Sequence, residues 1–232
     1  MIKRMIAAGA LLSAAMLPAM AQAQEEGASA EPAVAAEADT RVFKSVNFNL
    51  SEDRDDILFL DLSNGERVAI RLMPSWAPNH VERIKTLARS GFYDGVIFHR
   101  VIDGFMAQTG DPTGTGQGGS QLPDLAEEFN RMPHIRGTVS MARAASEDSA
   151  NSQFFIVFYP RFSLDNRYTN FGRVISNMAA VDAITRGEPP QNPTRVLQAS
   201  IASDNKPVPA RMAPAPVQDE AVTADMLSAP AS

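Results

Sequence analysis

Residues 98–111 bring together polar side chains capable of acid–base or hydrogen-bond chemistry, among them His99, Arg100, Asp103 and Gln108. A serine hydrolase needs a histidine, an acid and a positioned serine in one constellation. His99 and Asp103 are local neighbours with no serine beside them, and the sequence contains no G-x-S-x-G turn. The pattern therefore argues against a serine hydrolase.

A glycine-rich loop follows this segment at residues 114–119. A phosphate-binding loop would follow an apolar strand directly, lead into a helix and contain a Lys-Ser or Lys-Thr pair. This loop leads into residues 120–123, Ser-Gln-Leu-Pro, and contains no lysine. We therefore interpret it as a conformationally permissive surface loop.

Arg100 is the polar residue of this segment that is hardest to explain structurally. Side chains alternate between the two faces of a strand, so His99 and Arg100 point in opposite directions and one of them faces a core or a cleft. Burying an arginine without a partner is costly, which favours a functional role for Arg100. We expect His99 to be a structural, hydrogen-bonded histidine. Composition alone would assign Phe105, Met106 and Phe155 to the core.

The elements that must position these residues are mostly strands. Residues 57–62 and 67–72 predict a hairpin around Asn64-Gly65, the preferred pair for a tight primed turn. Apolar periodicity predicts a helix over residues 74–90, ended by Gly91, and a second helix over 178–185, ended by Gly187. Further strands are predicted at 96–102, 154–158 and 195–201. Many short strands with two helices indicate a closed or nearly closed antiparallel barrel with helical caps, although propensity alone does not distinguish a barrel from a sandwich.

The ends of the chain differ in composition from its middle. Lys3 and Arg4 precede an apolar run and then small residues, which predicts a secretory signal peptide over residues 1–23 and a periplasmic location. An uncleaved membrane anchor is the alternative. We predict a disordered Ala/Glu/Pro linker over 24–42, one folded domain over 43–203, and a disordered Pro/Ala-rich tail over 204–232.

Charge and composition exclude several classes of function. The net charge is -6, and no basic cluster is present to bind nucleic acid. The chain has no cysteine and only three histidines, which argues against disulfides, thiolate catalysis and a metal centre. We expect no cofactor and no metal.

Taken whole, residues 98–111 resemble the cyclophilin signature F-H-R-x-I-x-G-F-M-x-Q-x-G-D. Residues 137–142, 151–156 and 164–174 resemble further cyclophilin blocks, in the order of that family. The resemblance extends over about residues 57–201. It implies a mainly-β, closed eight-stranded antiparallel barrel capped by two α-helices, and the activity of a peptidyl-prolyl cis/trans isomerase.

The resemblance also implies the residues of the site. Arg100 would be the catalytic arginine, whose guanidinium hydrogen-bonds the prolyl amide as that amide twists. An apolar pocket would hold the proline ring, and Gln108 would bind the substrate backbone. The substrate-binding residues implied are Phe105, Met106, Gln108, Ala142, Arg143, Gln153, Phe155, Leu164 and Tyr168.

Four positions depart from the family pattern. Ser163 stands where eukaryotic members have a tryptophan, with Phe162 one residue earlier. Tyr168 replaces the usual histidine, Arg143 replaces an asparagine, and Thr109 replaces a glycine, which suggests that position 109 does not require a positive φ. None of these changes affects Arg100.

Two functions from different classes remain open at this point. One is an active isomerase that assists the folding of exported proteins. The other is a proline-binding module or holdase chaperone with incidental turnover. In both cases we expect the partners to be proline-containing polypeptides and not nucleic acid, with no stable membrane insertion and a monomeric state.

Overall fold

The computed structural model of the chain describes residues 41–210. The predicted signal peptide, nearly all of the predicted linker and the tail beyond residue 210 lie outside this range. None of the helices within it has the length and apolar character needed to cross a membrane. The helices are α1 Pro78–Arg89 and α2 Met178–Asp182, and short 3₁₀ turns occupy Arg54–Asp56, Phe162–Leu164 and Ala202–Asp204. The strands are β1 Ile57–Leu62, β2 Arg67–Leu72, β3 Arg100–Ile102, β4 Met106–Thr109, β5 Thr138–Met141, β6 Phe154–Val157, β7 Asn170–Ser176 and β8 Val196–Ile201.

The eight strands form one antiparallel sheet in the order β3-β4-β6-β5-β7-β2-β1-β8. The mainly-β fold with two helices is therefore confirmed, but the prediction of a closed barrel is wrong. Strands β3 and β8 are the two edges of the sheet, which is an open half-barrel. Within residues 41–210, no ladder joins these edges. Strand β3 begins at Arg100, and the residues before it approach the start of β8 through the isolated bridge between Ile97 and Arg195 and the backbone hydrogen bonds around it.

The first hairpin has the predicted strands but a different turn. A type I′ turn requires positive φ at both central residues and a type II′ turn requires it at the first, whereas Gly65 has φ 85° and Asn64 is not in the positive-φ region. Gly65 donates its N–H to the Leu62 carbonyl at 2.9 Å, and the Leu62 N–H bonds Glu66 at 2.9 Å. This is the pattern of a type I turn followed by a left-handed glycine that forms a bulge.

Both helices are shorter than predicted. The chain turns at residues 74–77, where the Trp76 N–H bonds the Met73 carbonyl at 2.8 Å, and α1 starts with Pro78 in its first turn. Proline suits that position because its missing N–H would have no helical partner there. The helix ends as predicted before Gly91, which has φ 75°. Helix α2 ends at Asp182 instead of residue 185.

Alternation along β6 separates two apolar clusters. Phe154 and Ile156 belong to the main core, which fills the inside of the half-barrel beneath α1. Phe155 and Val157 point to the opposite face, where they pack with Met106 in a smaller cluster. Because successive side chains of a strand point to opposite faces, one strand supports both the fold and a surface site.

Candidate active site

An open cavity of about 740 Å³ lies over the smaller apolar cluster. Its floor is made by Phe155 and Met106, which are 5% and 2% exposed. The Tyr168 ring meets Phe155 edge to face, with the ring centroids 5.6 Å apart. All the site residues predicted from the sequence except Gln153 line this cavity, namely Arg100, Phe105, Met106, Gln108, Ala142, Arg143, Phe155, Leu164 and Tyr168.

Strand register assembles the centre of the site. Arg100 in β3 lies opposite Gln108 in β4, and Gln108 lies opposite Phe155 in β6. Residues directly opposite one another in antiparallel strands project from the same face of the sheet. The register therefore forms a row of a guanidinium, a side-chain amide and an aromatic ring.

Gln153 lies behind this row. Its Oε1 accepts a hydrogen bond from Gln108 Nε2 at 2.9 Å, and its own Nε2 donates to the carbonyls of Gly116 at 3.1 Å and Gly118 at 2.8 Å. Gln153 lines an adjoining cavity of about 460 Å³ together with Gln108 and Arg143. It links the amide of the site to the glycine-rich loop.

Arg100 stands at the rim of the cavity with its side chain 43% exposed. Its Nε donates to Glu188 Oε2 at 2.8 Å. Glu188 and Pro189 also line the cavity, and neither residue was among the sites predicted from the sequence. Glu188 lies in a Gly-Glu-Pro-Pro break between elements, and only its distance from Arg100 in the folded chain indicates a role.

The glycine-rich loop is part of the site and not only a surface loop, because residues 114–117 line the cavity. It is organised by Asp111, which is 0% exposed and accepts backbone hydrogen bonds from Thr113, Gly116 and Gly118. Burial alone would raise the pKa of this carboxyl group, but a hydrogen bond from the Thr113 hydroxyl and the three backbone hydrogen bonds outweigh it and lower the pKa to about 2. At Gly118 a Cβ atom would stand 2.1 Å from Asp111 Oδ1, so the loop admits no side chain there.

His99 lines the cavity and is 5% exposed. Within residues 41–210, neither ring nitrogen makes a hydrogen bond of ordinary geometry. The expectation of a hydrogen-bonded histidine is therefore wrong. Burial lowers the pKa of His99, although Asp111 and the nearby Gln153 side chain act in the opposite direction.

The positions that depart from the family pattern have separate explanations. Thr109 has no positive φ and bonds the Ile97 carbonyl through Oγ1 at 2.9 Å, which confirms that a glycine is not needed there. The Arg143 guanidinium lies over the Tyr168 ring, 5.1 Å from its centroid. Phe162 is 63% exposed and is not among the residues that line the cavity.

A hydrogen-bonded chain of Ser140, His134 and Asp165 lies beneath the cavity floor, and no sequence pattern indicates it. Asp165 can only accept, so His134 Nδ1 donates to it at 2.7 Å, and His134 Nε2 accepts from the Ser140 hydroxyl at 2.8 Å. Ser140 is 0% exposed, so its hydroxyl cannot reach a substrate. The His134 ring stacks on Phe155 with centroids 6.5 Å apart. This triad supports the floor of the cavity and does not act as a hydrolase.

The fold and the site together define a mainly-β protein with an open apolar cavity, edged by a guanidinium and by side-chain amides. Such a cavity suits a small apolar ring that is flanked by peptide groups, because the ring meets the floor and the peptide groups meet the donors.

Comparison with known proteins agrees with this description. The sequence profile of the cyclophilin type peptidyl-prolyl cis-trans isomerase/CLD family matches residues 59–203. A probable peptidyl-prolyl cis-trans isomerase of Brucella suis biovar 1 (strain 1330) is 45% identical over 170 residues, which cover 66% of this chain and 86% of the relative. Peptidyl-prolyl cis-trans isomerase B of Bacillus subtilis (strain 168) is 41% identical over 128 residues, covering 55% of this chain and 89% of that protein.

Solved structures show the same likeness. The crystal structure of cyclophilin AquaCyp293 from Hirschia baltica superposes with a TM-score of 0.62 at 30% identity, covering 71% of this chain and 78% of that one. A Cryptosporidium parvum cyclophilin, solved in the presence of the dipeptide ala-pro, has a TM-score of 0.58 at 28% identity, and the match covers 62% of this chain and 98% of that one. The chain belongs to the cyclophilin-type peptidyl-prolyl cis-trans isomerases.

Proposed function

We propose that this isomerase accelerates rotation about X-Pro bonds by stabilising the twisted amide with Arg100, without a covalent step. Amide resonance makes the rotation barrier about 18–20 kcal/mol, and any interaction stronger with the twisted than with the planar amide lowers it. A nucleophile is not required. Each reduction of about 1.4 kcal/mol gives a tenfold gain in rate, so a few hydrogen bonds suffice.

The observation that carries this proposal is the row of Arg100, Gln108 and Phe155. A proline ring resting on Phe155 would have its peptide groups beside the Gln108 amide and the Arg100 guanidinium. Arg100 uses Nε for Glu188, and within the described part of the chain its two Nη groups have no hydrogen-bond acceptor. Those two groups are the donors proposed for the prolyl carbonyl and for the amide nitrogen as it becomes pyramidal.

A protease-coupled assay on an X-Pro peptide tests the role of Arg100. We expect Arg100→Ala to lower kcat/KM by about 100-fold, as the loss of a donor to a transition state does in other enzymes. Arg136→Ala is a matched control, because Arg136 is 42% exposed, also pairs with an acid (Asp182), and lies outside the cavity lining. Full activity of Arg100→Ala would refute the mechanism.

The second candidate is a proline-binding module, favoured by the apolar floor, which would hold a proline ring without any help from Arg100. Calorimetric titration with a non-cleavable X-Pro peptide separates the two functions. Binding by the wild-type chain with no turnover above background would support the module. Turnover that depends on Arg100 supports the enzyme.

We further propose that the enzyme is exported to the periplasm, where as a monomer it assists the folding of proline-containing proteins. The support is the sequence of residues 1–23, with its basic start, apolar run and small residues. Fractionation of a Gram-negative host that expresses the full chain should place it in the periplasm, and deletion of residues 2–23 should leave it in the cytoplasm. Recovery in the membrane fraction would instead indicate an uncleaved anchor.

A further inference from the structure

An isolated β-bridge next to Arg100 aligns Glu188 with it. Val101 donates its N–H to the Gly187 carbonyl at 2.8 Å, and Gly187 returns a hydrogen bond to the Val101 carbonyl at 2.9 Å. This pair is an isolated antiparallel bridge on the free edge of β3. In an antiparallel pair, the residue before one partner lies beside the residue after the other, so Arg100 lies beside Glu188.

The backbone that presents Glu188 has little freedom. Gly187 has φ 141°, and a Cβ atom at this position would stand 2.6 Å from Pro190 Cα. Pro189 and Pro190 follow, and Pro190 is buried. On the other side, the Arg186 guanidinium lies 4.3 Å from the centroid of the Phe158 ring. The carboxylate therefore extends from a fixed corner of the chain.

Glu188 is the one hydrogen-bond acceptor of Arg100 within residues 41–210. The opposite residue, Gln108, directs its amide to Gln153 instead. An arginine side chain has several rotatable bonds and loses much conformational entropy when it is held in one position. A carboxylate bound to Nε restricts the movement of the guanidinium at the rim of the cavity and leaves both Nη groups available as donors to a substrate.

We propose that Glu188 is a positioning residue, which holds the Arg100 guanidinium in the orientation that the isomerisation requires. The proposal rests on the proposed role of Arg100 in catalysis. Glu188 acts through its oxygen as a hydrogen-bond acceptor, because its negative charge by itself would weaken the field that Arg100 exerts on the amide. An uncharged acceptor of the same length should therefore serve as well.

Kinetic analysis of the full chain tests this with Glu188→Ala and Glu188→Gln. Since misplacement of a reacting group costs up to about 100-fold, we expect Glu188→Ala to lower kcat about tenfold and to change KM less than about twofold. Glu188→Gln should restore kcat to within about twofold of the wild type, because its amide oxygen still accepts from Nε. Asp182→Ala is the control, since it removes a comparable surface pair with Arg136 and should leave kcat unchanged.

A double-mutant cycle separates this proposal from the proposed function. In an Arg100→Ala background, Glu188→Ala should have no further effect. If Glu188→Ala had the wild-type kcat or a higher one while Arg100→Ala lost most of its activity, the positioning role would be overturned and the catalytic role of Arg100 would stand. An equal loss in both backgrounds would also overturn it, because Glu188 would then act independently of Arg100. Full activity of Arg100→Ala would instead defeat the proposed function.

A direct measurement is independent of turnover. The Nε–H of Arg100, observed by NMR in the full chain, should exchange with solvent more slowly in the wild type and in Glu188→Gln than in Glu188→Ala. Equal exchange rates in all three proteins would show that Glu188 does not hold the guanidinium, and the proposal would be wrong.

Discussion

Asp111 holds the glycine-rich wall of the active site, and its substitution by asparagine should be costly. Its Oδ1 accepts from Thr113 N and Thr113 Oγ1, both at 2.7 Å, and its Oδ2 accepts from Gly116 N at 2.6 Å and Gly118 N at 3.1 Å. Every one of these partners is a donor. The Asp111→Asn substitution would replace one carboxylate oxygen by an NH₂ group, which is itself a donor. That group would face either the donors of Thr113 or the N–H groups of Gly116 and Gly118.

The structure gives the magnitude of this effect. If the amide oxygen of the variant faced Thr113, the N–H groups of Gly116 and Gly118 would lose their acceptor. A buried unsatisfied donor costs about 1–3 kcal/mol, so the free energy of unfolding should fall by about 3 kcal/mol. The pKa of Asp111 is lowered from 3.8 to about 2. At about 1.4 kcal/mol per unit, the ionised group contributes roughly 2.5 kcal/mol relative to the protonated one.

The sign of the pH dependence follows from the direction of this shift. Because the pKa of Asp111 is lower in the folded than in the unfolded chain, its contribution is complete above the unfolded value of 3.8 and is lost as the pH falls towards 2. As the pH falls from 5 to 2, the difference in the free energy of unfolding between the wild type and Asp111→Asn should therefore shrink, and at pH 2 it should be about 1 kcal/mol or less.

Urea denaturation at a series of pH values measures this difference. Asp103→Asn is the matched control, because the Asp103 side chain is 87% exposed and its pair with Arg186 should contribute less than about 1 kcal/mol. A difference below about 1 kcal/mol for Asp111→Asn at pH 7 would refute the reasoning, and so would a difference that is constant down to pH 2. Because the loop lines the cavity, we also expect a higher KM for X-Pro peptides in this variant.

Three further predictions concern the surroundings of the site. Gly110→Ala should destabilise the protein by about 3 kcal/mol or more, because Gly110 has φ 92° and a Cβ atom there would stand 2.4 Å from the Ser152 carbonyl oxygen. Gly104→Ala is the control: Gly104 has φ 64° but open space around it, so this substitution should cost only about 1 kcal/mol. Equal urea midpoints for the two variants would contradict the prediction. Phe155→Ala should cost about 3 kcal/mol and raise KM in the coupled assay, since Phe155 is 5% exposed on the cavity floor; an unchanged KM would show that the proline ring does not rest there. Burial lowers the pKa of His134 below its ordinary value of 6.5, although its carboxylate partner Asp165 acts in the opposite direction. Because the unfolded chain then binds the proton more readily than the folded chain, the free energy of unfolding should fall as the pH drops below 6.5. His134→Gln should weaken that dependence in denaturation experiments between pH 7 and pH 5, and an unchanged slope would assign it to other groups.

Features that depend on neighbouring residues could be predicted from the sequence. The strands Ile57–Leu62 and Arg67–Leu72 were predicted with the bounds that the structure has, because strand propensity and alternation are local. The turn between them was not, since Asn64-Gly65 is compatible with both a primed turn and a type I turn with a bulge. The strand predicted over residues 96–102 is longer than β3 in the structure, which begins at Arg100, because hydrogen-bonded partners determine where a strand begins.

The composition of the site was also largely accessible, through the resemblance of residues 98–111 to a known signature. What no local pattern contains is the register that brings Arg100, Gln108 and Phe155 into one row across three strands. The same holds for the open sheet and for the pairing of Arg100 with Glu188, which is 88 residues away in the sequence. Local sequence determines which residues are available as strands, donors and rings. Long-range backbone pairing determines which of them meet, because contacts between distant residues depend on the whole fold.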